Sequence, residues 1–270
     1  MDIQEAEIVV YVISRISGEG KDRRLEKGDY YLSEREEKDI LFLNSRCVPI
    51  VLLINAGGPV ELTNILEKAQ WIKGILNISQ LGQEGGRAVA RILLGEAVPS
   101  GKLTTTWAKK YADVPFAENF SYLNGNLELE EYKEGIYVGY RYFDSFGVKP
   151  LFPFGFGLSY TKFEVQLLSA DENADGITAV ATVKNIGARP GKEVVQLYCT
   201  APQGLLGKPA KVLCAFAKTK TLAPGKSQTL MLTAPWRNFA SYDDSGATGY
   251  KSAFVLEAGD YIFSLGTDVR

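Results

Sequence analysis

A glutamate framed by glycines, in the stretch Ser17-Gly18-Glu19-Gly20, sits among the charged residues Arg15, Lys21, Asp22, Arg23 and Arg24. Glycine on either side frees the backbone for a tight turn and leaves room for another molecule to approach. A carboxyl held this way can give or take a proton. It carries weight because the 270 residues contain no histidine. That absence removes Ser-His-Asp and Cys-His catalysis, histidine-ligated zinc and any imidazole base together. Acid–base chemistry must then rest on carboxylates, Lys, Tyr or Cys. Cys47, Cys199 and Cys214 are odd in number and lack metal-type spacing, so they read as buried free thiols. For the glycine-framed loop the plain alternative is a solvated turn between a strand and a helix. A phosphate cradle fits poorly, since a lone Gly-Glu-Gly lacks dinucleotide or P-loop spacing and its carboxylate would repel phosphate.

The elements that must position this loop alternate strand and helix. Residues 7–14 are a β-branched run that reads as a strand buried on both faces. Ser33-Glu-Arg-Glu36 matches a capping box and opens a helix to about Arg46. Residues 49–55 read as a second buried strand, followed by Ala56-Gly-Gly-Pro59. Proline there suits the first turn of a helix to about Gln70. A third short strand is expected over 74–79. The glycine-containing turn Leu81-Gly-Gln-Glu-Gly-Gly86 then leads to a helix over 87–94, with Gly95 as its C-terminal cap. Glu84, at that helix start, suits a capping role. The order implies a parallel sheet with helices on its faces, and the open loop falls at the carboxyl end of its first strand, where such sheets place ligands. Three strands make a small sheet, and the sequence opens almost on a core-like strand, so the expectation is a truncated α/β domain over residues 1–110.

Beyond it the texture changes. Residues 111–160 are rich in Tyr, Phe, Gly and Asn without regular periodicity, and are read as a connector that serves function or packs along another domain. Its Tyr137, Tyr140, Tyr142, Phe143 and Phe146 suit packing between domains more than stacking on a bound ligand. Trp71, Trp107 and Trp236 are likewise read as core or domain-contact residues. Residues 161–270 hold about seven short alternating runs divided by turn signals such as Ala223-Pro-Gly225, the pattern of an immunoglobulin-like sandwich.

Thirty basic residues against 32 acidic ones give a formal charge of −2, with no basic block, which argues against nucleic acid as a partner. The longest apolar runs are too short to span a bilayer, and the first residues show no basic region followed by an apolar one.

Several segments together resemble glycoside hydrolase family 3, β-glucosidase type, in the order that family has them. Ser17-Gly-Glu-Gly20 with Asp22-Arg23 resembles its acid/base loop. Leu81-Gly-Gln-Glu-Gly-Gly86 and Pro99-Ser-Gly-Lys-Leu103 resemble its last helix and the exit from its α/β sandwich. Residues 134–143, Glu-Gly-Ile-Tyr-Val-Gly-Tyr-Arg-Tyr-Phe, and 151–160, Leu-Phe-Pro-Phe-Gly-Phe-Gly-Leu-Ser-Tyr, resemble its connector. Val183-Lys-Asn-Ile-Gly187, residues 191–198 (Gly-Lys-Glu-Val-Val-Gln-Leu-Tyr) and Ala258-Gly-Asp-Tyr261 resemble its fibronectin type III-like domain.

The resemblance implies a retaining mechanism with two carboxylates, one a nucleophile and one an acid/base. Glu19 matches the acid/base. Gly18, Gly20, Asp22 and Arg23 would support its loop, with Asp22 and Arg23 orienting Glu19, touching sugar hydroxyls or forming a local ion pair. The nucleophile of the family is an aspartate on a (β/α)8 barrel, and no segment here resembles that barrel. The expectation is therefore the back portion of an exo-acting β-glycosidase, its substrate a β-linked glucoside or oligosaccharide and its partner the missing barrel, with no metal or organic cofactor. The chain alone is expected to be inactive and to self-associate through its truncated sheet. A non-catalytic carbohydrate-binding or interaction module is the rival, and glucose binding indifferent to Glu19→Gln would favour it. A nucleotide-binding α/β domain, the third reading, requires ATP or NAD to protect the chain against heat.

Overall fold

A computed structural model describes residues 6–16, 22–126 and 128–270. Two compact units are present, one of Met1–Leu93 with Ala108–Glu130 and one of Leu94–Trp107 with Glu131–Arg270. The stretch read as a connector is thus divided between them.

In the first unit, β1 (Val9–Ser14), β2 (Ile50–Asn55) and β3 (Ile72–Asn77) form a parallel sheet in that order, β2 central. Helices α1 (Glu34–Ser45), α2 (Thr63–Lys68) and α3 (Gly85–Leu93) alternate with the strands. The capping box forms as the sequence implies. Ser33 Oγ accepts from Glu36 N at 3.2 Å, and Glu36 Oε2 accepts from Ser33 N at 2.7 Å. These bonds satisfy backbone donors that an α-helix leaves open at its start. The buried side chains Ile40 and Leu43 then seat the helix.

Three local expectations are corrected. β1 is not buried on both faces: Tyr11 Oη donates to Asp39 Oδ2 of α1 at 3.1 Å and Ile13 is fully buried, yet Val10 and Val12 are 42% and 51% exposed. One face of an outer strand is therefore bare. The helix after Pro59 is one short piece starting at Thr63, because Pro59 lies ahead of it and its carbonyl accepts from Arg23 instead. Cys47 is exposed in the turn after α1, at φ +58, whereas Cys199 and Cys214 are buried; all three thiols are free.

The second unit is the sandwich. One sheet orders β4 (Phe163–Asn173), β5 (Gly176–Asn185) and β8 (Ser227–Pro235); the other orders β11 (Ile262–Gly266), β6 (Val194–Thr200) and β7 (Val212–Lys218), all antiparallel. Alternate residues of β5, β6 and β8 point inward, so Ala179, Ala181, Val183, Val195, Leu197, Leu230 and Leu232 share one core. The run at 253–255 pairs instead with a short strand unforeseen in the sequence: β9 (Ser241–Asp243) and β10 (Ala253–Val255) make a separate hairpin. Asn185 is buried with both ends of its amide engaged. Its Nδ2 donates to Arg189 O and Leu222 O, and its Oδ1 accepts from Thr161 Oγ1 and Gly187 N. A buried amide satisfied this fully adds specificity without a desolvation debt.

Helix α4 (Tyr140–Ser145) lies on the outer side of β6 and β7. Tyr140 stacks at 4.7 Å on Phe154 and meets Tyr198 edge-on at 6.2 Å, while its hydroxyl accepts from Leu213 N at 2.9 Å. Tyr137, Tyr142 and Phe146 pack on one another at about 5 Å between ring centres. These rings are partnered within the unit.

Candidate active site

The strand β1 delivers its chain to the carboxyl end of the sheet, and Arg15 marks the exit. Arg15 is 6% exposed and its guanidinium is fully engaged. Both terminal nitrogens reach Glu36 at 2.8 Å, and the remaining donors go to the carbonyls of Ser14, Asp29 and Tyr31. A bidentate pair of this kind fixes geometry as well as charge. The Glu36 that caps α1 is therefore also the anchor of the loop's entry. Burial alone would raise the Glu36 carboxyl, but hydrogen bonds from Arg15 and Ser33 outweigh it and hold the group below its ordinary range.

Glu19, with Gly18 and Gly20, lies outside the described residues. The loop's return begins at Asp22, and here the structure is explicit. Arg23 donates from Nε to Asp29 Oδ1 at 2.8 Å, from one terminal nitrogen to Asp29 O at 2.6 Å and from the other to Pro59 O at 2.7 Å. The second Asp29 oxygen accepts from Arg24 N at 2.7 Å. Burial pushes Asp29 upward, but these bonds from Arg24 and Arg23 prevail and its carboxyl stays below the usual value. The ion pair of Arg23 is thus with Asp29, six residues on, not with its neighbour Asp22. Gly28, at φ +89, makes the turn that brings Asp29 back; a side chain would be strained there. By holding Pro59, Arg23 also joins the loops that follow β1 and β2.

A third segment closes round this one. Tyr30 sits between Tyr31 and Tyr111, both edge-on at 5.3 Å, with Arg23 over its ring at 5.9 Å. Tyr111 N donates to Glu61 Oε2 at 3.1 Å. Glu61 is nonetheless raised, because burial outweighs that bond. Ser121 Oγ donates to Asp22 Oδ2, and Tyr122 Oη accepts from Leu25 N at 3.3 Å with Arg24 over its ring at 6.0 Å.

Of the residues singled out from sequence, Asp22 is held by Ser121 and Arg23 by Asp29 and Pro59, while Glu84 stands apart on the start of α3. Its carbonyl accepts from Ala88 N while its carboxylate pairs loosely with Arg87 at 3.8 Å. Asp29, Glu36, Ser121 and Tyr122 were not marked as site residues by the sequence. The Lys27-Gly28-Asp29 turn and the capping box were visible signals for the first two; nothing local pointed to the others. Two of the arginines nearest Glu19 in sequence are charge-balanced by carboxylates, so their influence on a nearby acid is muted. Among the described residues no group of three His, Cys, Asp or Glu side chains could hold a metal ion, and no helix is long and apolar enough to cross a membrane.

Two parts of the chain match known domain families. The glycosyl hydrolase family 3 C-terminal domain matches residues 2–160, and a fibronectin type III-like domain matches residues 193–269. A β-glucosidase of Ruminococcus albus is 42% identical over 99% of the chain and 28% of its own length. β-Glucosidase A of Butyrivibrio fibrisolvens is 41% identical over 98% of the chain and 36% of its own. Among solved structures, a β-glucosidase from Paenibacillus barengoltzii superposes with a TM-score of 0.93 at 42% identity, over 99% of this chain and 29% of that one. β-Glucosidase 3B from Thermotoga neapolitana, in complex with α-D-glucose, gives 0.90 at 40% identity, over 99% and 36%. The chain thus spans roughly a third of the length of these relatives.

Proposed function

Since the chain belongs to glycoside hydrolase family 3, we propose that it is the proton-donating portion of a retaining, exo-acting β-glycosidase, with Glu19 as general acid/base and β-glucosides as the favoured substrates. The nucleophile belongs to a barrel-borne aspartate of the longer protein. Relatives named β-glucosidases match almost the whole chain yet extend to about three times its length, and this carries the reading. In the sequence Glu19 falls between Arg15 and Arg23, each of which is paired with a carboxylate.

In the first step Glu19 protonates the departing sugar oxygen while the nucleophile carboxylate attacks the anomeric carbon. In the second, Glu19 takes a proton from water, which displaces the nucleophile and retains configuration. The donor must hold its proton until the bond breaks, so its pKa has to stand above that of a surface glutamate. Proximity to the nucleophile's negative charge would supply that rise. Pairing Arg15 with Glu36 and Arg23 with Asp29 supports it by removing two uncompensated cations from the neighbourhood.

Two measurements test the reading. The chain alone should give no turnover of aryl β-glucosides, because without a nucleophile there is no covalent intermediate to make the route fast. Clear turnover that Glu19→Gln abolishes would overturn the division of labour. In the full-length protein, Glu19→Gln should slow hydrolysis of glucosides with poor leaving groups by about 10²–10⁴-fold.

A further inference from the structure

We propose that one end of the sandwich is a docking surface for an acidic polysaccharide, held by a crown of lysines that the fold gathers from separate stretches of chain. The crown itself is independent of the chain's catalytic role. The choice of a glycan as the polyanion rests on the glycosidase reading given above.

Topology does the gathering. Neighbouring strands run antiparallel, so the start of β4, the end of β5 and the start of β8 share one rim of their sheet, where Phe163 faces Asn185 and Lys184 faces Ser227. In the other sheet the start of β6 meets the end of β7, Val194 facing Lys218. The two rims are stitched together. Asn185 N donates to Lys226 O at 2.9 Å and Asn185 Nδ2 to Leu222 O at 2.8 Å, while Gly191 and Leu222 exchange backbone bonds at 3.1 and 2.7 Å. Each strand end brings lysine to this place. Lys162 precedes β4, Lys184 lies near the end of β5, Lys192 precedes β6, Lys218 closes β7, and Lys220 and Lys226 lie in the turn that leads to β8. All six are exposed.

Their charge is not answered locally. Among the described residues none of the six is in an ion pair. Glu193, at the same rim, is taken by Lys102 at 2.9 Å, and Glu164 stands across the strand from Lys184 without pairing. Lys218 registers the crowding: burial holds its ammonium below the ordinary value, and Lys192 and Lys102 push the same way. The far end of the first sheet is opposite in sign, with Asp171, Glu172 and Asp175 exposed at the β4–β5 turn. A chain whose formal charge is only −2 has thus sorted its charges along the sandwich. Like charges held side by side repel, and an anionic partner relieves that repulsion.

The character of the crown selects among polyanions. A duplex reader inserts a helix and pairs arginine with base edges, whereas this rim offers turns and lysines, which act as point charges. A membrane-docking surface adds a broad apolar helix face to its cations. On the turns between β5 and β6 and between β7 and β8, Ile186 is the exposed large apolar side chain. A polysaccharide with a carboxylate on each sugar needs neither insertion nor base readout, only cations spread along a rigid rim.

The test titrates soluble polygalacturonate into the chain and into the full-length protein. Both should bind, and raising salt from about 50 to about 200 mM should weaken binding more than about tenfold as contacts are screened and counterions released. Combining Lys192→Glu, Lys220→Glu and Lys226→Glu should weaken it by about tenfold, the scale of three lost exposed ion pairs. The same change in net charge on other exposed lysines of this unit, Lys133→Glu, Lys149→Glu and Lys251→Glu, should leave affinity nearly unaltered. Absence of binding by the chain, or equal losses in the two triple variants, overturns the proposal. Laminarin, a neutral β-glucan, bound as tightly would show that charge is not the basis. Phosphatidylglycerol vesicles or duplex DNA bound as tightly at the same salt would replace the glycan by another partner. Binding by the chain that the full-length protein lacks would mean that the crown is covered there, and the docking role falls. The full-length crown variant should hydrolyse an aryl β-glucoside at the parent's rate. A parent that hydrolyses no glucoside removes the glycosidase reading and with it the choice of a glycan; a parent that hydrolyses glucosides yet ignores polygalacturonate removes the crown's role alone.

Discussion

The two units solve the problem of burying apolar surface in different ways. In the second, two antiparallel sheets lay the inward residues of β5, β6 and β8 against one another, and the core closes with side chains supplied by the unit itself. In the first, a parallel sheet has α1 over one side of β1, while Val10 and Val12 on the other side stand open. The difference follows from strand pattern. Alternation in an antiparallel sandwich leaves one face for water, whereas a β-branched run suited to burial on both faces needs a second layer. Of the candidate site residues, Asp22 and Arg23 belong to the unit with the bare face.

Disturbing the closed core should have the largest effect. Leu232 is buried among Leu230, Ala234 and the inward residues of β5 and β6. Leu232→Ala should destabilise the sandwich by about 3–4 kcal/mol through lost burial and the cavity left behind. Hydrogen exchange at β5 and β6 amides reads this, and unchanged protection there would show that the core repacks far more freely than its contacts imply.

An intermediate effect is expected at the loop's anchors, and it carries a sign in pH. Glu36 and Asp29 are held below their ordinary values. The unfolded chain therefore binds protons first as the pH drops. Their stabilisation is fully present above the unfolded values, about 4.3 and 3.9, and is lost as pH falls through the lower folded ones. Glu61, raised by burial, runs the other way and recovers stability as pH falls through its raised folded value. Glu36→Gln should cost about 2 kcal/mol near neutrality, the scale of a hydrogen-bonded charge. It should also flatten the fall in stability below about pH 4.3, the unfolded value. Urea midpoints at several pH values check both, and an unaltered acid limb would mean that the Arg15 pair does not govern acid sensitivity.

These same residues show what a sequence carries and what it does not. The capping box of α1 was legible because Ser33 and Glu36 meet within one turn, and β5, β6 and β8 because their alternation is local. Fold class and family were likewise legible, the latter through strings such as residues 151–160. The bare face of β1 was not, since a run of Val and Ile says that burial is wanted and not whether a covering layer is present. The shortened α2 was missed because Pro59 serves Arg23 instead of opening a helix. In the site, glycine framing drew attention to Glu19, Asp22 and Arg23. The grip of Ser121 on Asp22 spans 99 residues and that of Tyr122 on Leu25 spans 97. No periodicity or spacing encodes a pairing of that reach; it exists only once folding has brought the two segments together.

The smallest change in stability should come from the bare face, where the consequence is intermolecular instead. Among the described residues β1 is an outer strand with one edge unpaired in the sheet order, and Ile8, Val10 and Val12 lie exposed beside it. An open edge flanked by apolar side chains is a template for pairing with a second copy. The chain on its own should therefore self-associate with rising concentration. Val12→Lys puts a charge on that face and should shift the chain toward monomer while altering folding stability by no more than about 0.5 kcal/mol, as surface substitutions do. Light scattering across a concentration series separates the outcomes. A strictly monomeric parent chain would mean that the exposed face of β1 is tolerated without a partner, and the contrast drawn between the two units would then be one of shape and not of completeness. Association that persists in Val12→Lys would move the sticky surface elsewhere, to the exposed side chains of the connector such as Tyr132 and Val138.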